Sequence, residues 1–371
     1  MSPRPENEPA VTAGSPDARP PADQGRAVRP GEELDVAAVH SWLAPRLPGL
    51  TGTPRVTQYS GGASNWTYRL EYPGHDLVLR RPPAGTKAHS AHDMRREYRV
   101  QQALAPVFPW VPEMVALCDD ASVLGCDFYV MRRIDGLIPR RELPHGIRLD
   151  AGATRQLCLH VVDTLVALHK VDPAAAGLAS LGKGPGYPRR QIQGWSERYE
   201  KARTWNVPSF RRVRAWLAAN TPSDVATCVV HGDFRLDNVV LDPDDPTRVK
   251  GVLDWEMATL GDPLMDLGNT LAYWAQADDD FIARATRRQP THLPGMLTRR
   301  ELVEYYLERM GLRVADFAFY EVYGVFRLAV IVQQIYYRYH HGQTRNPAFK
   351  RFWLLVHYLR WRCQRIIDGR R

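Results

Sequence analysis

Residues Cys228–Trp274 read CVVHGDFRLDNVVLDPDDPTRVKGVLDWEMATLGDPLMDLGNTLAYW, and this stretch contains two short apolar runs around a turn-forming segment. The runs are residues 239–241 and 249–253, and the segment between them, DPDDPTR, is rich in Asp and Pro, so the pattern predicts a β-hairpin. Asn238 and Asp254 lie equally far from the second proline of that segment. An antiparallel pairing of near-symmetrical register places these two side chains next to each other at the open end of the hairpin.

A third polar side chain, Asp233, follows the apolar residues 228–230 in a tight His-Gly-Asp turn. A carboxylate and an amide oxygen at adjacent strand ends are hard ligands that suit Mg²⁺, which takes few protein ligands together with phosphate oxygens. Asp233 precedes Asn238 on the same loop, so it can reach a hydroxyl held beside a metal-bound phosphate. A proton acceptor and two metal ligands are the minimal set for phosphoryl transfer. We therefore expect Asp233 to be catalytic and Asn238 and Asp254 to bind Mg²⁺.

Two motifs carry a resemblance to a known group of enzymes. HGDFRLDN (231–238) followed by VLDWE (252–256) resembles the catalytic and metal loops of the aminoglycoside phosphotransferase and choline kinase superfamily, whose fold is similar to that of protein kinases. The continuation GDPLMDLG (261–268) most resembles the branch associated with acyl-CoA dehydrogenases. The resemblance implies an α+β, bilobal protein-kinase-like fold with a β-rich N-terminal lobe and a mainly helical C-terminal lobe. It also implies transfer of the γ-phosphoryl group of ATP, with Mg²⁺, to a small-molecule hydroxyl.

Other interpretations of the same acidic residues stay open at this stage. A non-catalytic nucleotide-binding module is opposed by the complete set of Asp233, Asn238 and Asp254. A metal-dependent phosphoesterase built on His231, Asp233 and Asp254 lacks a rich set of His and Asp ligands. Asp266 is expected to cap the catalytic loop or the following helix and not to bind metal.

Composition limits the class of protein. The chain has 371 residues, of which 24% are charged and 44% hydrophobic, as in soluble globular proteins, and this length suffices for two lobes. No apolar run is long enough to span a bilayer. The formal net charge is +8, but no aromatic-interleaved basic motif or zinc spacing supports a nucleic-acid partner. The five cysteines form no CxxC pair, so we interpret them as reduced thiols of a cytoplasmic protein. The oligomeric state stays unknown.

Three regions follow along the chain. Residues 1–33 are rich in proline and poor in large apolar residues, which predicts a disordered tail. Residues 34–132 are predicted to form the nucleotide-binding lobe, which begins with an amphipathic helix over Leu34–Leu47. Residues 133–371 are predicted to form the catalytic and acceptor-binding lobe, in which helical patterns dominate.

A glycine-rich stretch joins two predicted strands in the first lobe. Ser60, Gly61 and Gly62 open this stretch, SGGASN. Glycines there let backbone N–H groups come close to anionic phosphates, although a Gly-Gly pair on its own is as often an ordinary turn. We assign these three residues to nucleotide binding.

The next strand, LVLRR (77–81), ends in two arginines where the related kinases have a phosphate-binding lysine. The resemblance places that role on Arg80, with Arg81 as the second choice, because a guanidinium fork can also grip phosphate. It also implies that Glu97, on a helix predicted from Asp93 to Leu104, pairs with this base.

Cys126–Ile134 (CDFYVMRRI) is predicted to be a buried strand that runs into a linker. In the related kinases this segment is the hinge. The resemblance therefore implies that the backbone of Arg132 and Ile134 binds adenine and that Met131 packs beside it. Whether the nucleotide is ATP or GTP stays open, and an ordinary interior strand fits the pattern equally well.

The identity of the acceptor is less constrained. The stretch after Asp266 is apolar and aromatic before it reaches Asp278-Asp279-Asp280. Because the chain carries a net charge of +8, a neutral or anionic hydroxylated acceptor, such as a hydroxy acid or its thioester, is favoured over a polycationic aminoglycoside. An antibiotic kinase remains the alternative.

Overall fold

The computed structural model of the protein describes residues 25–59, 65–83 and 93–369. The first lobe is built on a five-stranded antiparallel sheet of strand order β1-β2-β3-β5-β4. Its strands are β1 (Arg55–Gln58), β2 (Trp66–Tyr72), β3 (His75–Arg81), β4 (Met114–Cys118) and β5 (Phe128–Arg132). Its helices are α1 (Val36–Leu43), α2 (Met94–Leu104) and the short α3 (Ala121–Leu124).

The larger core of this lobe lies on one face of the sheet, and a smaller cluster of Val78, Tyr129 and Met131 packs with Met94 of α2 on the other face. Every second residue of β2 (Tyr68, Leu70 and Tyr72) is buried, and these side chains pack in one cluster with Val39 and Leu43 of α1. This alternation is what a strand with one face in the core requires.

Residues 25–33 belong to this lobe, although composition predicts disorder through residue 33. The backbone N–H of Arg26 donates to the Gln58 carbonyl oxygen, and the Gln58 N–H donates back to Arg26, both at 2.8 Å. Backbone pairing with an edge strand needs no apolar side chains, so composition does not reveal it.

The second lobe is mainly helical and contains two small antiparallel ribbons. One ribbon pairs β6 (Cys228–Val230) with β9 (Thr259–Gly261), and the other pairs β7 (Val239–Leu241) with β8 (Val249–Val252). The helices are α4 (Ala151–His169), α5 (Tyr187–Ala202), α6 (Arg211–Ala219), α7 (Pro263–Ala272), α8 (Phe281–Thr286), α9 (Arg299–Met310), α10 (Ala318–His340) and α11 (Phe352–Ile367). Among the described residues, no helix combines the length and apolar character that crossing a bilayer requires.

The two lobes share packing at the end of α2. Leu104 and Phe108 are buried in the large core of the second lobe and not in the core of the first. The Val252 N–H donates to the Trp110 carbonyl oxygen at 2.6 Å, and Trp110 Nε1 donates to the Val249 carbonyl oxygen at 3.1 Å. The segment after α2 is thereby attached to the β7–β8 hairpin, and α2 has a fixed position relative to it.

Candidate active site

The turn that carries Asp233 is fixed from two sides. Asp266, on α7, accepts hydrogen bonds from the backbone N–H groups of His231 at 2.8 Å and Gly232 at 2.9 Å. Arg327, on α10, donates from Nη2 to the Gly232 carbonyl oxygen at 2.6 Å. Asp266 therefore caps the catalytic loop, which is one of the two roles expected for it.

Two buried histidines support the same turn. His169 Nε2 lies 3.2 Å from Asp266 Oδ2. His231 Nδ1 accepts from the Asp233 N–H at 3.2 Å, and its Nε2 lies 3.0 Å from the Leu253 carbonyl oxygen. Burial lowers the pKa of His231 below its ordinary value, so this ring is neutral near neutral pH. Both ring nitrogens of His231 are used within the protein, which argues against a phosphoesterase with His231 as metal ligand.

Asp233 is joined to the predicted metal-binding residue Asn238. The Asn238 side-chain Nδ2 donates to the Asp233 carbonyl oxygen at 2.9 Å and to Asp233 Oδ2 at 3.3 Å. Arg235 Nη2 lies 3.2 Å from the same carboxylate oxygen, and the Arg235 guanidinium lies over the Tyr273 ring, 4.6 Å from its centroid. The carboxylate is therefore oriented by one amide and one guanidinium.

The predicted β-hairpin forms and places Asn238 near Asp254. Val239 pairs with Val252, and the Leu253 N–H donates to the Asn238 carbonyl oxygen at 2.8 Å, so Asp254 directly follows the residue opposite Asn238. Both side chains line the same cleft between the lobes. The hairpin thus brings the two oxygen-bearing side chains to one end, as expected. Its register differs by one residue from the symmetrical one, because Leu253 and not Asp254 lies opposite Asn238.

Asp254 has an unusual backbone conformation, with φ of +68°, which is rare for a residue other than glycine. Its Oδ1 accepts a hydrogen bond from Arg80 Nη2 at 2.7 Å. Burial alone would raise the pKa of Asp254, but the Arg80 guanidinium overcomes this and holds the pKa below its ordinary value. The carboxylate is therefore ionised near neutral pH, as a metal ligand must be.

Arg80 is surrounded by three carboxylates. Its Nε lies 3.3 Å from Glu97 Oε1, and its Nη2 lies 2.7 Å from Asp254 Oδ1 and 3.0 Å from Glu256 Oε2. Burial would lower the pKa of Arg80, but Glu97 and Asp254 raise it well above its ordinary value, so the guanidinium stays charged. Burial raises the pKa of Glu97, and the nearby Arg80 opposes this. The structure thus pairs Arg80, which lines the cleft, with the buried Glu97 behind it.

Arg81 points away from the cleft and not into solvent. Its Nη2 donates to the Glu33 carbonyl oxygen at 3.1 Å and to the Tyr68 hydroxyl at 3.2 Å. Its guanidinium also lies over the Trp66 ring, 4.9 Å from the centroid. Arg81 therefore attaches the N-terminal segment to the sheet.

The segment predicted to be the hinge lies at the edge of the same cleft. Met131, Arg132 and Ile134 all line it. The Arg132 N–H donates to the Glu113 carbonyl oxygen at 2.8 Å, so this backbone donor is already used within the protein. Within the described residues, no backbone carbonyl oxygen accepts from the Ile134 N–H. A backbone donor without a backbone partner, beside an apolar residue such as Met131, is suited to a purine ring.

Ser60, Gly61 and Gly62 lie outside the described residues, so their assignment to nucleotide binding stays a prediction. The described chain resumes at Asn65, whose Nδ2 donates to Glu256 Oε2 at 3.1 Å. The end of the glycine-rich stretch is thus joined to the loop that follows Asp254.

The donor set at the end of the hairpin is compatible with Mg²⁺. Asn238 uses its Nδ2 toward Asp233, which leaves the amide oxygen as its metal-binding atom, and Asp254 supplies an ionised carboxylate. In the described part of the chain, no group of three or more His, Cys, Asp or Glu side chains could hold a metal ion by itself. A cation that takes only two ligands from the protein and the rest from phosphates and water fits this arrangement.

Three functional contacts were not predicted from the sequence: those of Arg235, Glu256 and Arg327. Arg235 and Glu256 lie inside the HGDFRLDN and VLDWE motifs, so their positions two residues after Asp233 and Asp254 were an available signal. Arg327 lies in an apolar helix and gave no such signal except its charge.

This arrangement defines a class of protein: a bilobal, kinase-like fold with a cleft between its lobes. The sequence profile described as "Phosphotransferase enzyme family" matches residues 55–302. The chain belongs to this family, and the predictions of a phosphotransferase enzyme and of a kinase-like fold are confirmed.

Curated relatives support the predicted branch. The chain is 36% identical to acyl-CoA dehydrogenase family member 11 of Rattus norvegicus over 328 residues, which is 86% of this chain and 41% of that protein. It is 37% identical to family member 10 of Mus musculus over 300 residues, 80% of this chain and 28% of that protein. The chain therefore spans less than half the length of these relatives.

Solved structures agree with the fold. A Ralstonia eutropha protein assigned to the aminoglycoside phosphotransferases is 32% identical, with a TM-score of 0.74, and the match covers 89% of this chain and 98% of that one. Aminoglycoside 2'-phosphotransferase-IIIa, solved in complex with GDP, is 14% identical with a TM-score of 0.60, covering 88% and 98% of the two chains.

Proposed function

We propose that the protein is a small-molecule kinase that transfers the γ-phosphoryl group of ATP, with Mg²⁺, to an acceptor hydroxyl. One observation carries the proposal: Arg80, Asn238 and Asp254 line a single cleft, and Asn238 is hydrogen-bonded to Asp233 beside it. The residues assigned to the nucleotide and the residue assigned to the acceptor hydroxyl are thus adjacent at Asn238.

Each residue has a distinct part in this reaction. Asp233 orients the acceptor hydroxyl and accepts its proton while the new O–P bond forms and the bond between the γ-phosphorus and ADP breaks. Arg80 binds the α- and β-phosphates and exchanges its carboxylate partners for them. Asn238 and Asp254 would hold Mg²⁺, which supplies charge neutralisation across the phosphates. Most of the rate enhancement comes from positioning and charge stabilisation.

Nucleotide binding is assigned to residues 34–132, and catalysis with acceptor binding to residues 133–371. Ser60, Gly61 and Gly62 would cover the phosphates, and Met131, Arg132 and Ile134 would hold adenine. The GDP complex of the aminoglycoside phosphotransferase noted above supports a purine nucleotide as the ligand. Five free cysteines, four of them buried, support a cytoplasmic protein.

An acceptor that is neutral or anionic, such as a hydroxy acid or its thioester, is favoured because the chain carries a net charge of +8. Immediately beside Asp233 the charges are largely balanced. Arg235 pairs with Asp233 at 3.2 Å and with Asp237 at 3.4 Å, and the buried Arg327 donates to the Gly232 carbonyl oxygen.

The acidic residues 278–280 do not provide a free anionic surface that could bind a polycationic aminoglycoside. Asp279 makes two contacts of 2.7 Å with the Arg299 guanidinium, and Asp280 accepts from the Tyr358 hydroxyl at 2.7 Å. These carboxylates are committed to structural partners, which disfavours the antibiotic-kinase alternative.

The proposal is tested by a screen of hydroxylated metabolites with γ-labelled ATP and Mg²⁺. Transfer of label by the parent, its loss on removal of Mg²⁺ and its loss in Asp233→Ala are the expected results. Binding of Mg·ATP without transfer to any hydroxylated compound would favour the non-catalytic nucleotide-binding module instead.

A further inference from the structure

Two adjacent arginines on α2 have different partners. Arg95 is at the surface, where its Nε lies 2.6 Å from Asp127 and its Nη1 lies 3.2 Å from Asp119. Arg96 is half-buried and donates from Nη1 to the Glu256 carbonyl oxygen at 3.1 Å and from Nη2 to the Ala258 carbonyl oxygen. Arg96 thus binds the backbone of the segment that follows Asp254, which we call the metal loop (residues 254–258).

The metal loop contacts both Arg80 and the turn that carries Asp233. Asp254 and the Glu256 side chain bind Arg80, and Glu256 also binds Asn65 at the end of the glycine-rich stretch. On its other side, Gly232 approaches so closely that a Cβ there would lie 2.9 Å from the Cβ and carbonyl oxygen of Met257. A displacement of this loop would therefore move the surroundings of Arg80 together with the turn at residues 231–233, which we call the catalytic turn.

Successive residues of one helix fix two components of the site. Glu97 pairs with Arg80, and Arg96 holds the loop that supplies Asp254. The N-terminus of α2 is capped by Asp93, whose carboxylate accepts from the Arg96 N–H at 2.9 Å, so the helix is well ordered at this point. Because both contacts come from the same rigid helix, α2 helps to set the distance between Arg80 and Asp254.

We propose that Arg96 is a positioning residue for phosphoryl transfer, which fastens α2 to the metal loop and so sets Asp254 against the Glu97–Arg80 pair. Arg96 is not among the residues that line the cleft between the lobes. The inference rests on the proposed function for its consequence in Mg·ATP binding, but the fastening itself is independent of it. A guanidinium is suited to this role because its planar fork reaches two carbonyl oxygens at once.

The test compares Arg96→Met, which keeps the aliphatic stem, with Arg95→Met, which removes surface ion pairs at the next position of the same helix. Amide hydrogen exchange is measured on the nucleotide-free protein. The reporter is the Ala258 N–H, which donates to the Trp255 carbonyl oxygen at 3.1 Å. We expect its exchange to be about tenfold faster in Arg96→Met and unchanged in Arg95→Met.

Nucleotide affinities supply the second readout. Arg96→Met should bind Mg·ATP about tenfold more weakly, while adenosine affinity stays at the parent value. Arg96→Lys should restore part of the loss because it keeps one charged donor, and Arg95→Met should match the parent for both ligands.

Unchanged exchange at Ala258 in Arg96→Met would overturn the inference. Equal losses for Mg·ATP and adenosine, with faster exchange along all of α2, would also overturn it, because Arg96 would then stabilise the helix in general. If the parent does not bind Mg·ATP, the proposed function fails, and exchange at Ala258 alone still decides whether Arg96 fastens the loop.

Discussion

The catalytic turn and the surroundings of Arg80 are held by different kinds of interaction. The turn at residues 231–233 is fixed through its backbone, by Asp266 on one side and Arg327 on the other. Arg80 is held through its side chain, by carboxylates at 2.7–3.3 Å. The first set of contacts can persist through a reaction cycle, whereas the second occupies the groups that we propose to bind the Mg–nucleotide complex.

This difference suggests a division of labour. A turn held by buried backbone hydrogen bonds presents Asp233 in one orientation, as a catalytic base requires. A guanidinium surrounded by carboxylates stays charged and oriented until phosphates replace some of those partners. Changes on the turn side should therefore affect rate, and changes on the Arg80 side should affect nucleotide affinity.

The largest expected effect is that of Asp233→Ala. Phosphoryl transfer should fall about 10²–10⁴-fold because a positioned base is lost. Mg·ATP affinity should stay close to the parent value, since Asp233 faces the acceptor. Turnover and calorimetric affinity are measured on the acceptor identified by the screen. Turnover within a few-fold of the parent would remove Asp233 from the catalytic role.

Asp254→Ala tests the other side of the comparison. It should weaken Mg·ATP binding about a hundredfold and remove the dependence of ATP affinity on Mg²⁺, because the proposed charged metal ligand is lost. Titration calorimetry with and without Mg²⁺ measures this directly. A variant that binds Mg·ATP as tightly as the parent would make Asp254 a structural partner of Arg80 and nothing more.

Arg80→Ala should weaken ATP about tenfold to a hundredfold, since a charge-assisted contact with phosphate contributes about 1.5–3 kcal/mol. Adenosine affinity should hardly change, because adenosine has no phosphate. Arg80→Lys should recover part of the loss, since it keeps the charge but not the planar fork.

Arg81 is the matched control for this prediction. Arg81→Ala should lower the free energy of unfolding by detaching the Glu33 carbonyl and the Tyr68 hydroxyl, with little change in ATP affinity. Equal losses for ATP and adenosine in Arg80→Ala, or a larger loss of ATP in Arg81→Ala, would contradict the assignment of the phosphate-binding base.

The parts of the site that local sequence could predict are those that a motif or a strand alternation specifies. HGDFRLDN and VLDWE located Asp233, Asn238 and Asp254, and alternation implied that only one of Arg80 and Arg81 faces the cleft. Alternation did not show where the Arg81 side chain points, because the groups to which it donates, the Glu33 carbonyl oxygen and the Tyr68 hydroxyl, come from other segments of the chain.

Contacts that join distant segments through the backbone were not predictable. Arg96 binds carbonyl oxygens of Glu256 and Ala258, and carbonyl groups carry no sequence signal. Strand β4 (Met114–Cys118) was not predicted, since its short apolar run is defined as a strand by its pairing with β5. The ordered segment 25–33 has the same origin, because backbone pairing holds it against β1.

The smallest expected effect concerns the support of the catalytic turn, and it depends on pH. Burial alone would raise the pKa of Asp266, but its hydrogen bonds with His169 and with the His231 N–H overcome this and hold the pKa below the ordinary value. A depressed pKa in the folded state means that ionised Asp266 stabilises the fold above the unfolded-state pKa of about 4. That contribution is lost as the pH falls through the folded-state pKa.

Asp266→Asn should therefore lower the free energy of unfolding by about 1–3 kcal/mol at pH 7, because an amide cannot accept from both the His231 and Gly232 N–H groups. The difference in the free energy of unfolding between parent and variant should be constant from pH 7 to about 5 and should become smaller below about pH 4. Urea unfolding at several pH values measures it, with Asp119→Asn as the control at an exposed carboxylate. If the difference is the same at pH 3 and pH 7, Asp266 supports the turn through packing alone. The negative charge of its carboxylate would then contribute nothing to the stability of the turn.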